Sequence, residues 1–293
     1  MLSYLRPEPE PSVGPTTSGK AEPDSSPADS DASSSLLGAA YFAAEAVDVV
    51  VARLDAGPAV VRAAAAFLSN AERSRASRFA MARDRRRFTV ARSILRQLLA
   101  ARLGARPDSV ELNTEKRGKP ALANRFATSG LRFNLSHAGD IAVYAFSSGR
   151  EVGIDVEEVR ALPDADQLAA RFFSRREKEA YLALDAQDRP VGFFNCWTRK
   201  EALVKALGVG LLHPLDSFDV SLAPDEPARI IRLDSTFGGP SAWGMAAFSP
   251  APGLVAAVVA ERRGVRDNSS GSGAWCKAGH DTLTRKALGS RHA

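Results

Sequence analysis

Two carboxylates stand one residue apart in VGIDVEE, residues 152–158. The β-branched spacing predicts a strand, in which Asp155 and Glu157 share one face while Ile154 and Val156 point into the core. Like charges side by side repel unless something positive sits between them, and a divalent cation is an economical solution. Oxygen-only ligands favour Mg²⁺ or Ca²⁺ over zinc. On this segment alone, a solvated strand end with unrelated acids is the plainer reading. A second pair lies in CWTRKEALVKALGVGL, residues 196–211, where Glu201 and Lys205 have the four-residue spacing of a helix ion pair. Cys196, Leu203 and Leu207 form an apolar stripe, and Trp197, Glu201 and Lys205 lie on a neighbouring face at the edge of the core. Lys200 falls inside the stripe, where it must snorkel or find a partner.

Three further clusters suit an anionic ligand. In NLSHAG, residues 134–139, Ser136 and His137 sit where a strand gives way to a turn. A His beside a hydroxyl can bind phosphate. A direct nucleophile–base bond is disfavoured, because neighbours on a strand point to opposite faces. RGKP, residues 117–120, is a basic tight turn in which Lys119 offers a charge. Taken singly, each of these reads more simply as a structural turn. Basic residues also concentrate at residues 71–106, including Arg75, Arg78, Arg85, Arg86 and Arg87. They point to a phosphate-bearing ligand, nucleic acid or an acidic protein.

The elements that must position these residues are legible in outline. VDVVVARL (residues 47–54) predicts a strand. Ser69, with Glu72 three residues on, predicts a capping box. Apolar helical periodicity runs from Arg83 to Leu103, and Gly104 ends it. LRFNLSHAGDIAVYAFSSGREVGIDVEE predicts consecutive strands. RFFSRREKEAYLAL predicts one helix and FFNCWTRKEALVKALG a longer one, followed by FDVSL, RIIRL, AWGMAAF and LVAAVVA as strands. Helices followed by antiparallel hairpins, twice over, predict an α+β chain of two similar halves. Their expected limits are residues 44–150 and 151–263.

The 293-residue chain is 45% hydrophobic and 25% charged, which is ordinary for a soluble globular protein. Residues 1–43 and 264–293 are expected to be disordered, being rich in Pro, Ser, Gly and charge. The longest apolar stretch is interrupted by Glu45 and Asp48, so no membrane span or signal peptide is expected. Two cysteines, Cys196 and Cys276, predict no structural disulfide and a reduced, cytoplasmic location.

Together these segments resemble the large, pseudo-dimeric 4′-phosphopantetheinyl transferases. RGKP, FNLSHAG, VGIDVE and WTRKEALVKALGVGL occur in that family's order, and FFSRRE and HPLDSF also match. The resemblance implies two α+β halves with the active site in the cleft between them. It implies transfer of phosphopantetheine from coenzyme A to a serine of an acyl or peptidyl carrier protein, releasing adenosine 3′,5′-bisphosphate. By position, Asp155, Glu157 and Glu201 would hold Mg²⁺. Lys205 would contact the coenzyme A phosphates, and is a candidate to protonate the leaving group. Ser136 and His137 would bind the 3′-phosphate or pyrophosphate region, Lys119 and Pro120 the adenine-phosphate end, and Arg75 and Arg87 further coenzyme A charge. Glu201, Glu177 or a metal-held water would be the general base. The carrier would be acidic and the enzyme a monomer acting without nucleic acid or membrane. The alternatives are a basic nucleic-acid-binding module and a catalytically silent scaffold that binds carrier proteins.

Overall fold

The computed structural model describes residues 37–42, 47–114, 119–210 and 213–262. The first half opens with strands β1 (Leu37–Phe42) and β2 (Val47–Arg53), followed by helices α1 (Pro58–Ala65), α2 (Asn70–Ser77) and α3 (Ala82–Leu103). A short hairpin of β3 (Leu112–Thr114) and β4 (Pro120–Leu122) leads to the pair β5 (Leu131–Ala138) and β6 (Ile141–Ser148). The second half repeats that order. Strand β7 (Val152–Glu158) precedes helices α4 (Ala165–Phe172), α5 (Arg175–Leu182) and α6 (Arg189–Leu207). Then come the short pair β8 (Asp219–Val220) and β9 (Ile230–Arg232), and the pair β10 (Trp243–Phe248) and β11 (Leu254–Glu261).

The sheets repeat as well. One has the order β1-β2-β6-β5 and the other β10-β11-β7. Strand β2 therefore corresponds to β7, β6 to β11 and β5 to β10. The expected α+β fold of two similar halves is the fold observed. Two expectations need correction. Strand β1 pairs antiparallel with β2, so regular structure begins inside the N-terminal extension. The expected single helix RFFSRREKEAYLAL is two, because Ser174 caps a new helix and its hydroxyl accepts from the Glu177 N–H. The rest of the N-terminal extension and the C-terminal tail, with Cys276, lie outside the described residues, as do Arg117 and Gly118 of RGKP. No described helix is long and apolar enough to cross a membrane.

Two cores hold the fold. Helix α3 packs Leu95 and Leu99 on one face of the first sheet, against Val50, Ala52 and Tyr144. The sheet's other face, with Val47, Val49 and Val143, packs on Val152, Ile154 and Val156 of β7. The opposite face of β7 receives α6. Strand β5 runs beside β7 at the junction of the halves, where Asn134 Oδ1 accepts from the Ile154 N–H at 2.9 Å. A side chain thus supplies the edge pairing that a backbone ladder would otherwise give.

Gly153 fixes how closely α6 approaches. A Cβ there would overlap the backbone oxygen of Ala202 and the backbone nitrogen of Ala206. The added atom would meet main chain, which cannot swing aside. Gly153→Ala should therefore lower unfolding stability by at least about 1–3 kcal/mol, the usual range for overpacking. Denaturant melting tests this, and a variant as stable as wild type would refute the close approach.

Candidate active site

The strand alternation predicted for residues 152–158 is present, with Gly153, Asp155 and Glu157 on the side that α6 covers. Asp155 is only 4% exposed. Its Oδ1 accepts from Ser136 Oγ of β5 at 2.8 Å and from Lys205 Nζ of α6 at 2.6 Å. The same ammonium donates to the Ile154 carbonyl at 3.2 Å. The carboxylate of one half is thus bound by a hydroxyl from the other and by the last turn of the long helix. Lys205 pairs with Asp155 rather than with Glu201 four residues back, because the helix lies so near the strand.

Glu201 is 2% exposed. Its Oε1 and the Oδ2 of Asp155 are buried without a hydrogen-bond partner. Burial, and then the Asp155 charge, raise the Glu201 pKa, with Lys205 opposing. The same two causes, in the same order, push Glu157 up from 4.5 to about 7. These carboxylates are electrostatically unsatisfied, and an unpaired buried acid is costly. The donors are all hard oxygens, which suits Mg²⁺ in kind. Among the described residues, no three acids are drawn together as a ready-made metal cluster. The fit therefore rests on the two orphaned oxygens and the donor chemistry.

His137 follows Ser136 on β5 and keeps an exposed surface. Desolvation by neighbouring atoms lowers its pKa, and the charges of Lys205 and Arg87 lower it further. Arg87 reaches this corner from α3, donating from Nε to Asp140 in the β5–β6 turn at 2.6 Å. Arg75 stands on exposed α2 with its guanidinium over the Phe88 ring, 5.4 Å from the centroid. Pro120 begins β4. The ammonium of Lys119 is enclosed by three acceptors, the Lys205 carbonyl, the Val152 carbonyl and Glu151. That placement differs from an open phosphate ligand.

Glu177 is removed from the candidate bases. It is 1% exposed, and its two oxygens accept from the Ser174 and Val220 N–H groups at 2.8 Å each. The Lys200 ammonium lies 2.7 Å from it. Lys200 itself is fully buried and donates to the Leu215 and Phe218 carbonyls. Lys200 therefore finds a partner rather than snorkelling. The first half contains the same device. Glu72 closes the Ser69 capping box and takes Arg96 Nε at 2.6 Å, while Arg96 reaches the Pro107 and Val110 carbonyls. Arg96 and Lys200 stand at the same place relative to the C-cap glycines Gly104 and Gly208. The sequence signal was available, since both glutamates stand three residues after a helix-capping serine. Gly153 was also legible, as a glycine inside an otherwise β-branched strand.

The fold and site define a two-lobed α+β protein with buried acids and cations where the lobes meet. Comparison with known proteins agrees. Residues 151–258 match the 4′-phosphopantetheinyl transferase superfamily, and residues 56–149 match the family model described as 4′-phosphopantetheinyl transferase, N-terminal. The chain is 42% identical over 194 residues to the 4′-phosphopantetheinyl transferase HetI of Nostoc sp., covering 66% of this chain and 78% of that protein. It is 31% identical over 169 residues to the 4′-phosphopantetheinyl transferase Sfp of Bacillus subtilis, covering 58% and 73%. A human relative, L-aminoadipate-semialdehyde dehydrogenase-phosphopantetheinyl transferase, is 30% identical over 161 residues, 52% of each chain. The chain belongs to the 4′-phosphopantetheinyl transferase superfamily. The nucleic-acid-binding alternative gains no support from these relatives.

If Glu177 is a framework acid, Glu177→Gln should cost about 3 kcal/mol of stability or more, as when one partner of a buried ion pair is removed. The fraction that remains folded should keep most of its turnover. A Glu177→Gln protein of wild-type stability whose turnover has collapsed would return Glu177 to the chemistry.

Proposed function

We propose that this transferase moves the 4′-phosphopantetheine of coenzyme A onto a serine of an acyl or peptidyl carrier protein, using the buried acids between its two halves. The observation that carries the site assignment is Asp155, held by Ser136 of one half and Lys205 of the other, which keeps one buried oxygen without a partner, as does Glu201, on which its charge acts. The serine Oγ attacks the phosphorus bearing the pantetheine arm. The bond from that phosphorus to the bridging oxygen breaks, and adenosine 3′,5′-bisphosphate leaves with the bridging oxygen.

The residues divide this work by charge. Glu201 keeps a buried oxygen with no donor, so it is suited to take the serine proton, directly or through a water it holds. Lys205 supplies positive charge next to the breaking bond, where it can stabilise or protonate the leaving bisphosphate. Ser136, His137 and Arg87 offer hydroxyl, imidazole and guanidinium groups to the phosphates on the β5 side, and Arg75 extends that surface. Asp155, Glu157 and Glu201 would hold Mg²⁺, which would neutralise pyrophosphate charge when bound.

The arginines at the end of α2 and on α3 also suit an acidic carrier protein. Arg78, Arg85 and Arg86 are exposed, and charge of one sign speeds encounter with a partner of the other. Two matched halves in one chain supply the cleft without a second subunit, so a monomer is the working form, and the two-cysteine sequence suits a cytoplasmic one.

Mass spectrometry of an apo carrier protein incubated with enzyme, coenzyme A and Mg²⁺ should show the gain of one phosphopantetheine. Asp155→Ala and Glu201→Gln should abolish that gain while retaining a cooperative melt. Undiminished modification by both variants would sink the assignment of the site.

Glu157 gives a test by pH. Its pKa in the folded, metal-free protein is raised from 4.5 to about 7. The folded state then binds more protons than the unfolded state between those values, so stability falls as pH rises through the window. In chelator, wild-type melting temperature should drop across that range, and Glu157→Gln should flatten the drop. Mg²⁺ should restore the wild-type protein at the alkaline end. The same slope in both proteins, with no effect of Mg²⁺, would exclude Glu157 from a metal site.

A further inference from the structure

Lys119 belongs to the first half, yet its ammonium is bound almost entirely by the second. Nζ donates to the Lys205 carbonyl at 3.0 Å and to the Val152 carbonyl at 3.2 Å, and pairs with Glu151 Oε2 at 3.2 Å. Its side chain is 14% exposed. Lys205 lies in the last turn of α6, before the left-handed C-cap Gly208. Carbonyls of a last turn lack intrahelical donors and carry the negative end of the helix dipole. Val152 is the first residue of β7. One ammonium therefore joins the end of the helix bearing Glu201 and Lys205 to the start of the strand bearing Asp155 and Glu157. Glu151 fixes that ammonium from a third direction, and is itself held by Arg132 Nε of β5 at 2.9 Å.

We infer that Lys119 is a positioning residue, a cationic cap that holds the C-terminal turn of α6 in register with β7 and so places the Lys205 side chain on Asp155. This inference rests on the transfer reading of the site given above. It assigns Lys119 a role other than contact with substrate. All three neighbours of its ammonium are protein acceptors, and two are main-chain carbonyls of the elements that carry the site. Gly153 lets α6 come close to β7, and Lys119 sets where along the strand the helix stops. A register error of about 1 Å at a catalytic group is enough to cost up to about a hundredfold in rate.

The test compares wild type with Lys119→Met, Lys119→Arg and Glu151→Gln. Transfer rates are measured at varied coenzyme A, and hydrogen exchange of residues 203–208 is followed in the protein alone. Lys119→Met should lower kcat about tenfold or more, the effect of a misplaced group, with KM for coenzyme A within about twofold of wild type. The last turn of α6 should exchange faster in Lys119→Met, and Lys119→Arg should recover most of both readouts. A KM raised about tenfold with kcat intact would mark a substrate-phosphate ligand and overturn the inference. Unchanged exchange would overturn it too. If Lys119→Met fails to fold, Glu151→Gln decides: it should lower kcat about twofold to threefold at constant KM and speed exchange of the same turn. Wild-type values in both would refute the cap. The exchange readout needs no substrate. A wild-type enzyme without transfer activity would therefore end the functional reading while exchange still reports on the cap.

Discussion

The contact on which the site depends is the seating of α6 on β7 at Gly153. A helix normally stands off a strand by the thickness of the side chains between them. Here the strand offers no side chain, and the backbone of Ala202 and Ala206 occupies the space. Gly153 shares its strand face with Asp155 and the half-buried Glu157, so the same approach that removes standoff also buries the Asp155 carboxylate. Glu201 and Lys205 arrive at the level of Asp155 as a consequence. The chemistry-bearing groups are close because main chain is close, which leaves little freedom for the side chains to separate.

Comparison of the two halves separates framework from chemistry. Both carry a serine capping box whose glutamate binds a buried cation of the following long helix, and both cations donate to carbonyls beyond that helix. The repeat keeps this arrangement although Arg96 and Lys200 differ in type. The chemical positions are not kept. In the first half, Gln97 and Ala101 follow Arg96 where Glu201 and Lys205 follow Lys200. On β2, the residues aligned by strand pairing with Asp155 and Glu157 are Val50 and Ala52, both in the apolar core. One half thus closes the equivalent space with hydrocarbon, while the other leaves carboxylates there.

How much of this was legible in the sequence follows the range of each interaction. Strand alternation at residues 152–158, the Ser69–Glu72 capping box and the terminal glycines of α3 and α6 are local patterns, and the structure contains them. The break at Ser174 was misread, although its capping box has the same form as that of Ser69. The partner of Lys205 was out of reach. Helical spacing offers Glu201, and only the packing of α6 on β7 offers Asp155. Lys119 was equally unreadable, because two of its three acceptors are main-chain carbonyls, which leave no mark on residue type.

The buried acids of this fold differ in how fully their lone pairs are used. Glu177 takes two backbone N–H groups and an ammonium, and the unpaired buried atoms do not include either of its oxygens. Glu201 and Asp155 sit at nearly the same depth, yet each keeps a buried oxygen with no donor. Depth alone therefore does not distinguish a structural carboxylate from one proposed for the site. A satisfied acid is locked, since any new partner must displace an existing hydrogen bond. An unsatisfied one raises the energy of the empty site, and a cation or a proton arriving from substrate relieves that cost. The fold can hold such acids because Lys205 already compensates Asp155, and because the framework pairs on either side require nothing from the site.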